Sequence, residues 1–204
     1  MFYESRPDTD LRLGDMVQGF PILYSLLRKP PLSLQEAAYQ VEVDIPEYAV
    51  ILTPCCSIRD RIISVCPLKR LDKQLFKSPY LKEDFTRVNH RMRRVRAIPP
   101  DRLHKMSEED ITRMESEAEQ YGFLTYFIYE PHELLRGYTY TISKQEVAVA
   151  HYMIDFRDTF KVECTSLPEE KVLQLSICSR TALREKLAEY YGRIPEEDGM
   201  DAAI

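Results

Sequence analysis

Tyr48-Ala49-Val50-Ile51-Leu52-Thr53 is the stretch on which the fold turns. It is an unbroken apolar run, rich in β-branched residues and closed by Pro54. β-Branched side chains suit a pleated surface, and a short run without alternation reads as a strand buried on both faces. The pattern makes Tyr48–Thr53 the central strand of a sheet.

The flanks supply partners. Ile62-Ile63-Ser64-Val65-Cys66 reads as a second strand ended by Pro67. On the other side Ala37 to Val43 alternates, with Tyr39, Val41 and Val43 on one face, and so reads as half-buried. Gly14 to Gly19 is a short strand entered through a glycine turn, and Pro21 keeps Phe20 to Tyr24 extended. Further strands are expected at Phe123–Tyr129, Tyr138–Thr141, Val147–Phe156, Phe160–Cys164 and Val172–Ile177. Helical spacing appears three times. Phe85, Val88, Met92 and Val95 share one face. Ile111, Met114 and Ala118 follow a capping box in which Ser107 accepts the third backbone N–H and Asp110 reaches back. A last helix has Ser179 as N-cap, Leu183, Leu187 and Tyr190/Tyr191 on one face, and Gly192 and Pro195 as its stop.

Many short strands with few βαβ alternations argue against a doubly wound sheet. The expected class is α+β, mainly β. It is a small bent antiparallel sheet or SH3-like barrel in one domain (1–204), with a basic helical insertion at 68–119 and a last helix over 178–192. At 204 residues, 44% apolar and 30% charged, the chain is too apolar for a disordered protein. The most apolar run falls far short of the roughly 20 residues of a membrane span. Met1–Asp8 lacks a basic start followed by an apolar stretch, so no signal peptide and a cytoplasmic location are expected. In that reducing setting the five cysteines are expected as free thiols.

Charge is unevenly spread. Between Arg59 and Lys105, 14 Lys and Arg stand against 5 Asp and Glu, a local +9 in a chain of net charge −5. Arg87, His90, Arg91, Arg93, Arg94 and Arg96, with Arg102, His104 and Lys105 beyond Pro99-Pro100, are the candidate anion or nucleic-acid contacts. Guanidinium clusters bind phosphates through charge-assisted hydrogen bonds and counterion release. Tyr80 and Phe85 are positioned in sequence to stack on bases. The alternative is that these arginines pair with the acidic helix at 108–119.

Two smaller constellations remain. Cys55 and Cys56 follow the central strand directly. With Cys66 they are weak candidate metal ligands, since structural zinc sites bring paired C-x-x-C knuckles that are missing here. A thiolate nucleophile would need a nearby imidazole or helix N-terminus, which the sequence does not bring close; the favoured reading is two small buried residues at a tight turn, and no metal is expected. Asp155 and Arg157 share a strand face with Ile154 and Phe156 opposite, the pattern of a solvent-side ion pair or of an acid–base pair. Phosphate loops, dinucleotide fingerprints and nucleophile elbows are absent, so neither catalytic residues nor a cofactor are expected.

Gly14-Asp15-Met16-Val17 followed by Tyr48–Thr53 resembles the opening of the PemK/MazF-type toxins, SH3-like barrels that cleave single-stranded RNA. In that family an Arg-Pro pair leads into the second aliphatic strand. Here Glu47-Tyr48 stands in its place, so the family's active-site arginine has no counterpart. The resemblance covers about a fifth of the chain and implies a barrel more than it implies RNA cleavage. Leu52-Thr53-Pro54-Cys55-Cys56-Ser57-Ile58 is similar to an LTxCxxI pattern in uncharacterised bacterial proteins, which implies no function. The expected function is a non-enzymatic binding or regulatory module that contacts an anionic partner (RNA, DNA or an acidic protein surface) through the basic insertion, without a membrane. The alternatives are a divergent toxin-like endoribonuclease and a metal-stabilised protein-interaction domain.

Overall fold

A computed structural model describes residues 1–19, 21–27, 39–54, 57–58, 62–77, 79–89, 105–110, 125–163 and 170–192. In chain order its strands are β1 (Met16–Val17), β2 (Ile22–Leu27), β3 (Tyr39–Asp44), β4 (Ala49–Ile51), β5 (Ile62–Pro67), β6 (Lys69–Arg70), β7 (Tyr126–Tyr129), β8 (Tyr138–Ile142), β9 (Gln145–Val149), β10 (Tyr152–Asp155), β11 (Phe160–Glu163) and β12 (Lys171–Leu173). Helix α1 spans Pro79–Glu83 and α2 spans Ile177–Gly192, with 3-10 turns at Lys73–Lys77 and Phe85–Asn89. The protein is α+β and mainly β. Its sheets are antiparallel, and among the described residues none closes into a barrel.

The largest sheet runs β11-β5-β4-β1-β12, which puts β4 at its centre. Ala49, Val50 and Ile51 are all fully buried, as the unbroken apolar run requires. Register explains how both faces are filled. Met16 lies beside Val50 and Val50 beside Cys66, so these three side chains form a row into the main core. Ala49, Ile51, Val17, Ile63 and Val65 point the other way into a second cluster, edged by Leu11, Ile58, Phe160 and Val162. A three-stranded sheet, β6-β10-β7, faces the main core, and all four residues of β7 are buried. Gly14 feeds β1 at φ +86°, and a Cβ there would sit 2.4 Å from Leu175 Cδ1, so this position needs glycine twice over.

Tyrosine ties the loops to this frame. The hydroxyls of Tyr3, Tyr48, Tyr129, Tyr138, Tyr140 and Tyr152 each donate to a backbone carbonyl, at Glu130, Leu134, Gly14, His151, Leu71 and Arg136 respectively. In a chain without tryptophan these rings carry apolar mass and a polar anchor together.

Several expectations are corrected. Among the described residues β3 pairs with β2 alone, and Val43 is 61% exposed, so the hairpin leaves this position of the alternating face open to water. Val147–Phe156 is two strands, β9 and β10, separated at Ala150–His151. Val172–Ile177 divides likewise: β12 ends at Leu173, and Ile177 opens α2. The N-cap of α2 is Ser176, whose hydroxyl accepts the Ser179 N–H at 3.3 Å, not Ser179 itself. At the box of Ser107 the Asp110 N–H does reach the serine hydroxyl (3.1 Å), but the Asp110 carboxylate takes the hydroxyl proton instead of reaching back. Phe85 and Val88 are buried on a 3-10 turn, not an α-helix, whereas Met92, Val95, Ile111, Met114 and Ala118 lie outside the described residues.

Lys186, on the core side of α2, is almost fully buried, and its Nζ donates to the Val88 carbonyl. Burial pulls the ammonium down to about 7, against the smaller opposing pull of Glu189. The unfolded lysine therefore binds its proton more tightly, so stability must rise with pH between these two values. Between pH 7 and 9 the gain should be about 2 kcal/mol, before tyrosine ionisation in the unfolded chain opposes it. Chemical denaturation at the two pH values measures it, and Lys186→Met should flatten the difference.

Candidate functional site

Helix α2 has two faces. Leu183, Lys186 and Leu187 turn to the core. Ile177, Arg180, Thr181, Arg184, Ala188 and Tyr191 recur at helical spacing and line a cleft of about 990 Å³. The opposite wall is the end of β4 and the start of β5: Leu52, Thr53, Pro54, Ile62 and Ser64, joined by Leu13, Ser57 and Thr159. Backbone pairing holds this wall. Leu52 N–H donates to Ser64 carbonyl at 2.8 Å, and Ser64 N–H returns to Thr53 Oγ1 at 2.6 Å. Ser57 N–H closes a turn onto Pro54 carbonyl at 2.8 Å.

The cleft is cationic on an apolar frame. Arg180 donates through Nη2 to the Leu175 carbonyl at 2.9 Å, while its buried Nε has no hydrogen-bond partner among the described residues. Arg184 is exposed and pairs with no carboxylate among them. No Asp, Glu, His or Cys lines the cleft among the described residues, so no carboxylate or imidazole stands ready for proton transfer. Ile62, Ile177 and Tyr191 are 62%, 73% and 65% exposed, and all three line this one cleft. Large apolar side chains left open to water and gathered at one place mark a binding surface.

Behind the cleft lies a buried polar knot. Asp15 is fully buried and accepts from Lys171 Nζ at 2.8 Å and from Arg12 N–H at 2.9 Å. Lys171 also donates to the Asp10 carbonyl (2.6 Å) and to Gln174 Oε1 (2.9 Å). Burial pushes the Asp15 carboxyl up to about 6, outweighing the pull of Lys171, the Arg12 N–H and the charge of Arg180. The knot anchors the segment before β1 to β12.

The sequence candidates fall differently. Arg87 is engaged by Glu83 at 2.8 Å, one helical turn back. His90, Arg91, Arg93, Arg94, Arg96, Arg102 and His104 lie outside the described residues, as do Cys55 and Cys56 and most of the acidic segment at 108–119. Phe85 packs edge-on against Phe76 and His151 in the core, so it is not available to stack on bases. Cys66 is buried with its thiol on the Asp155 carbonyl at 3.1 Å, and burial raises it to about 12. Among the described residues no group of three or more His, Cys, Asp or Glu is placed to hold a metal. Asp155 is not a solvent-side residue: it is buried and grips the Arg157 guanidinium at 2.6 Å. Its role is to hold the turn after β10, whose N–H at Arg157 it also accepts.

Arg180 and Arg184 were not singled out by sequence, although the signal is there. Following Leu183 and Leu187 traces only the apolar face of the helix, and the stripe at 177, 180, 181, 184, 188 and 191 runs along its other side. Among the described residues no helix is long and apolar enough to cross a membrane. No protein-family model matches the chain, nor does any curated protein or solved structure.

Proposed function

We propose that the protein is a non-catalytic binding module for an anionic partner, which it holds at the cleft beside α2. The observation that carries this reading is the placement of Arg180 and Arg184 on one helix face, in a cleft whose described lining holds no acidic residue. Guanidinium groups attract carboxylates or phosphates and bind them through paired N–H donors, and Arg184 has no carboxylate partner among the described residues. The +9 of Arg59–Lys105 supports an anionic partner from sequence alone, since a concentrated basic stretch attracts anions even in a net-negative chain.

The test uses a fluorescein-labelled single-stranded RNA and a labelled acidic peptide, followed by anisotropy at low salt. At least one of the two should bind, and Arg184→Glu should weaken it by about tenfold or more, since a charge-assisted bond becomes a repulsion. The melting temperature should hardly move, because an exposed arginine adds little to stability. Binding that ignores Arg184→Glu overturns the placement at the cleft. An Arg91/Arg93/Arg94→Ala variant then asks whether the basic segment holds the partner instead, with a salt slope reduced by roughly 0.7 to 0.9 for each phosphate that is no longer neutralised. Cleavage of the RNA by pure protein would favour the toxin-like enzyme.

A further inference from the structure

The cleft is larger and more apolar than an anion alone needs. Its volume of about 990 Å³ sits at the top of the roughly 300–1,000 Å³ range of sites that enclose a small organic molecule. Its lining is also ordered along α2. Arg180, Thr181 and Arg184 hold the middle of the stripe, Ile177 precedes them, and Ala188 and Tyr191 follow. From Arg180 to Tyr191 the helix advances about 16 Å. The facing wall mixes the polar side chains of Thr53, Ser57, Ser64 and Thr159 with the apolar ones of Leu13, Leu52, Pro54 and Ile62.

We infer that the ligand of this cleft is a monomeric amphiphile: a carboxylate or phosphate head on a single apolar chain. The inference rests on the anion-binding reading above and narrows the partner to one class. The head is bound between Arg180 and Arg184. The chain runs along Ala188 and Tyr191 and covers apolar surface now open to water, Tyr191 above all. Covering it supplies the hydrophobic part of the affinity, at about 25 cal/mol for each Å² removed from water. A nucleic acid fits the described lining less well, since it wants a track of cations and several stacking rings, and among the described residues the cleft has two arginines and one tyrosine.

The test is isothermal titration of the full chain with dodecanoate and dodecyl phosphate below their micelle concentrations, with dodecanol and inorganic phosphate as controls. The two amphiphiles should bind with one-to-one stoichiometry, each at least about tenfold more tightly than either control. Arg184→Ala should lose the advantage over dodecanol. Ala188→Trp, at an exposed position, should fill the tail zone and weaken both amphiphiles while leaving the melting temperature unchanged. Four outcomes overturn the inference: no preference over inorganic phosphate, insensitivity to both variants, binding at several equivalents, and binding to phosphatidylglycerol vesicles but not to the monomers. If the amphiphiles fail while RNA or acidic-peptide binding stays sensitive to Arg184→Glu, the ligand class falls and the anion-binding module stands. If no anion binds at all, both fall.

Discussion

Replacing Ile51 by Asp is expected to leave the protein unfolded at 25 °C. Ile51 is fully buried in the central strand, packed in the cluster of Val17, Ala49, Ile63 and Val65. Its backbone is committed on both sides, donating to the Asp15 carbonyl at 3.0 Å and accepting from Gly14 N–H at 2.8 Å. The strand therefore cannot turn the new carboxyl to water without losing those bonds. Burying an unpaired acid and losing the isoleucine together cost about 5 kcal/mol or more, against a usual total stability of 5–15 kcal/mol. Circular dichroism should show no cooperative melting, while Ile51→Val should melt cooperatively, about 1 kcal/mol less stable than the parent. An Ile51→Asp protein with an unshifted melting temperature would mean that the core lies elsewhere.

Lys171→Met should cost about 3–5 kcal/mol, because it leaves a buried carboxylate without its counter-charge. Asp15 keeps only the Arg12 N–H as a direct donor and the more distant charge of Arg180. The loss carries a pH signature. A carboxyl whose folded value is raised binds its proton more tightly in the folded state, so stability falls as pH rises through that value. Asp15 already titrates near 6 with Lys171 in place, and removing the lysine moves it higher. The variant should therefore recover part of its stability between pH 8 and pH 5, and Asp15→Asn in the same background should abolish that dependence. A loss of equal size at both pH values would show that Lys171 acts through its aliphatic stem and not through its charge.

Local pattern carried the architecture where one residue's surroundings follow from its own strand. The run at Tyr48–Thr53 has no polar side to offer solvent, so only a central position satisfies it. The same reasoning failed at Val43, because alternation tells which residues share a face but not whether anything covers that face. At Asp155 it held in part: the ion pair with Arg157 forms and Arg157 stays exposed, but β10 is buried along its whole length and takes the carboxylate in with it. Cap placement slipped from Ser176 to Ser179 because two serines three apart both suit the motif, and their hydroxyls indeed touch at 3.1 Å. The cleft was least legible. Its two walls are separated by more than a hundred residues of chain, and only the fold sets Arg180 opposite Thr53 and Ser64.

The order β11-β5-β4-β1-β12 also sets a timetable. β1, β4 and β5 come from the first third of the chain and join among themselves. Both strands that flank them come from the last quarter, and Met16 meets Leu173 while Ile63 meets Val162. On a ribosome adding about 5–20 residues per second, roughly 5–20 s pass between the emergence of β4 and of β11. Throughout that interval the three-stranded nucleus carries two open edges. Closing these long loops is also the slow step expected of non-local β pairing. The tyrosine anchors from Tyr126 onward and the helix that completes the cleft arrive in the same late portion. Native structure, and with it any binding at the cleft, thus waits for β11, β12 and the last helix to emerge, and until then the nascent sheet depends on whatever shields its edges.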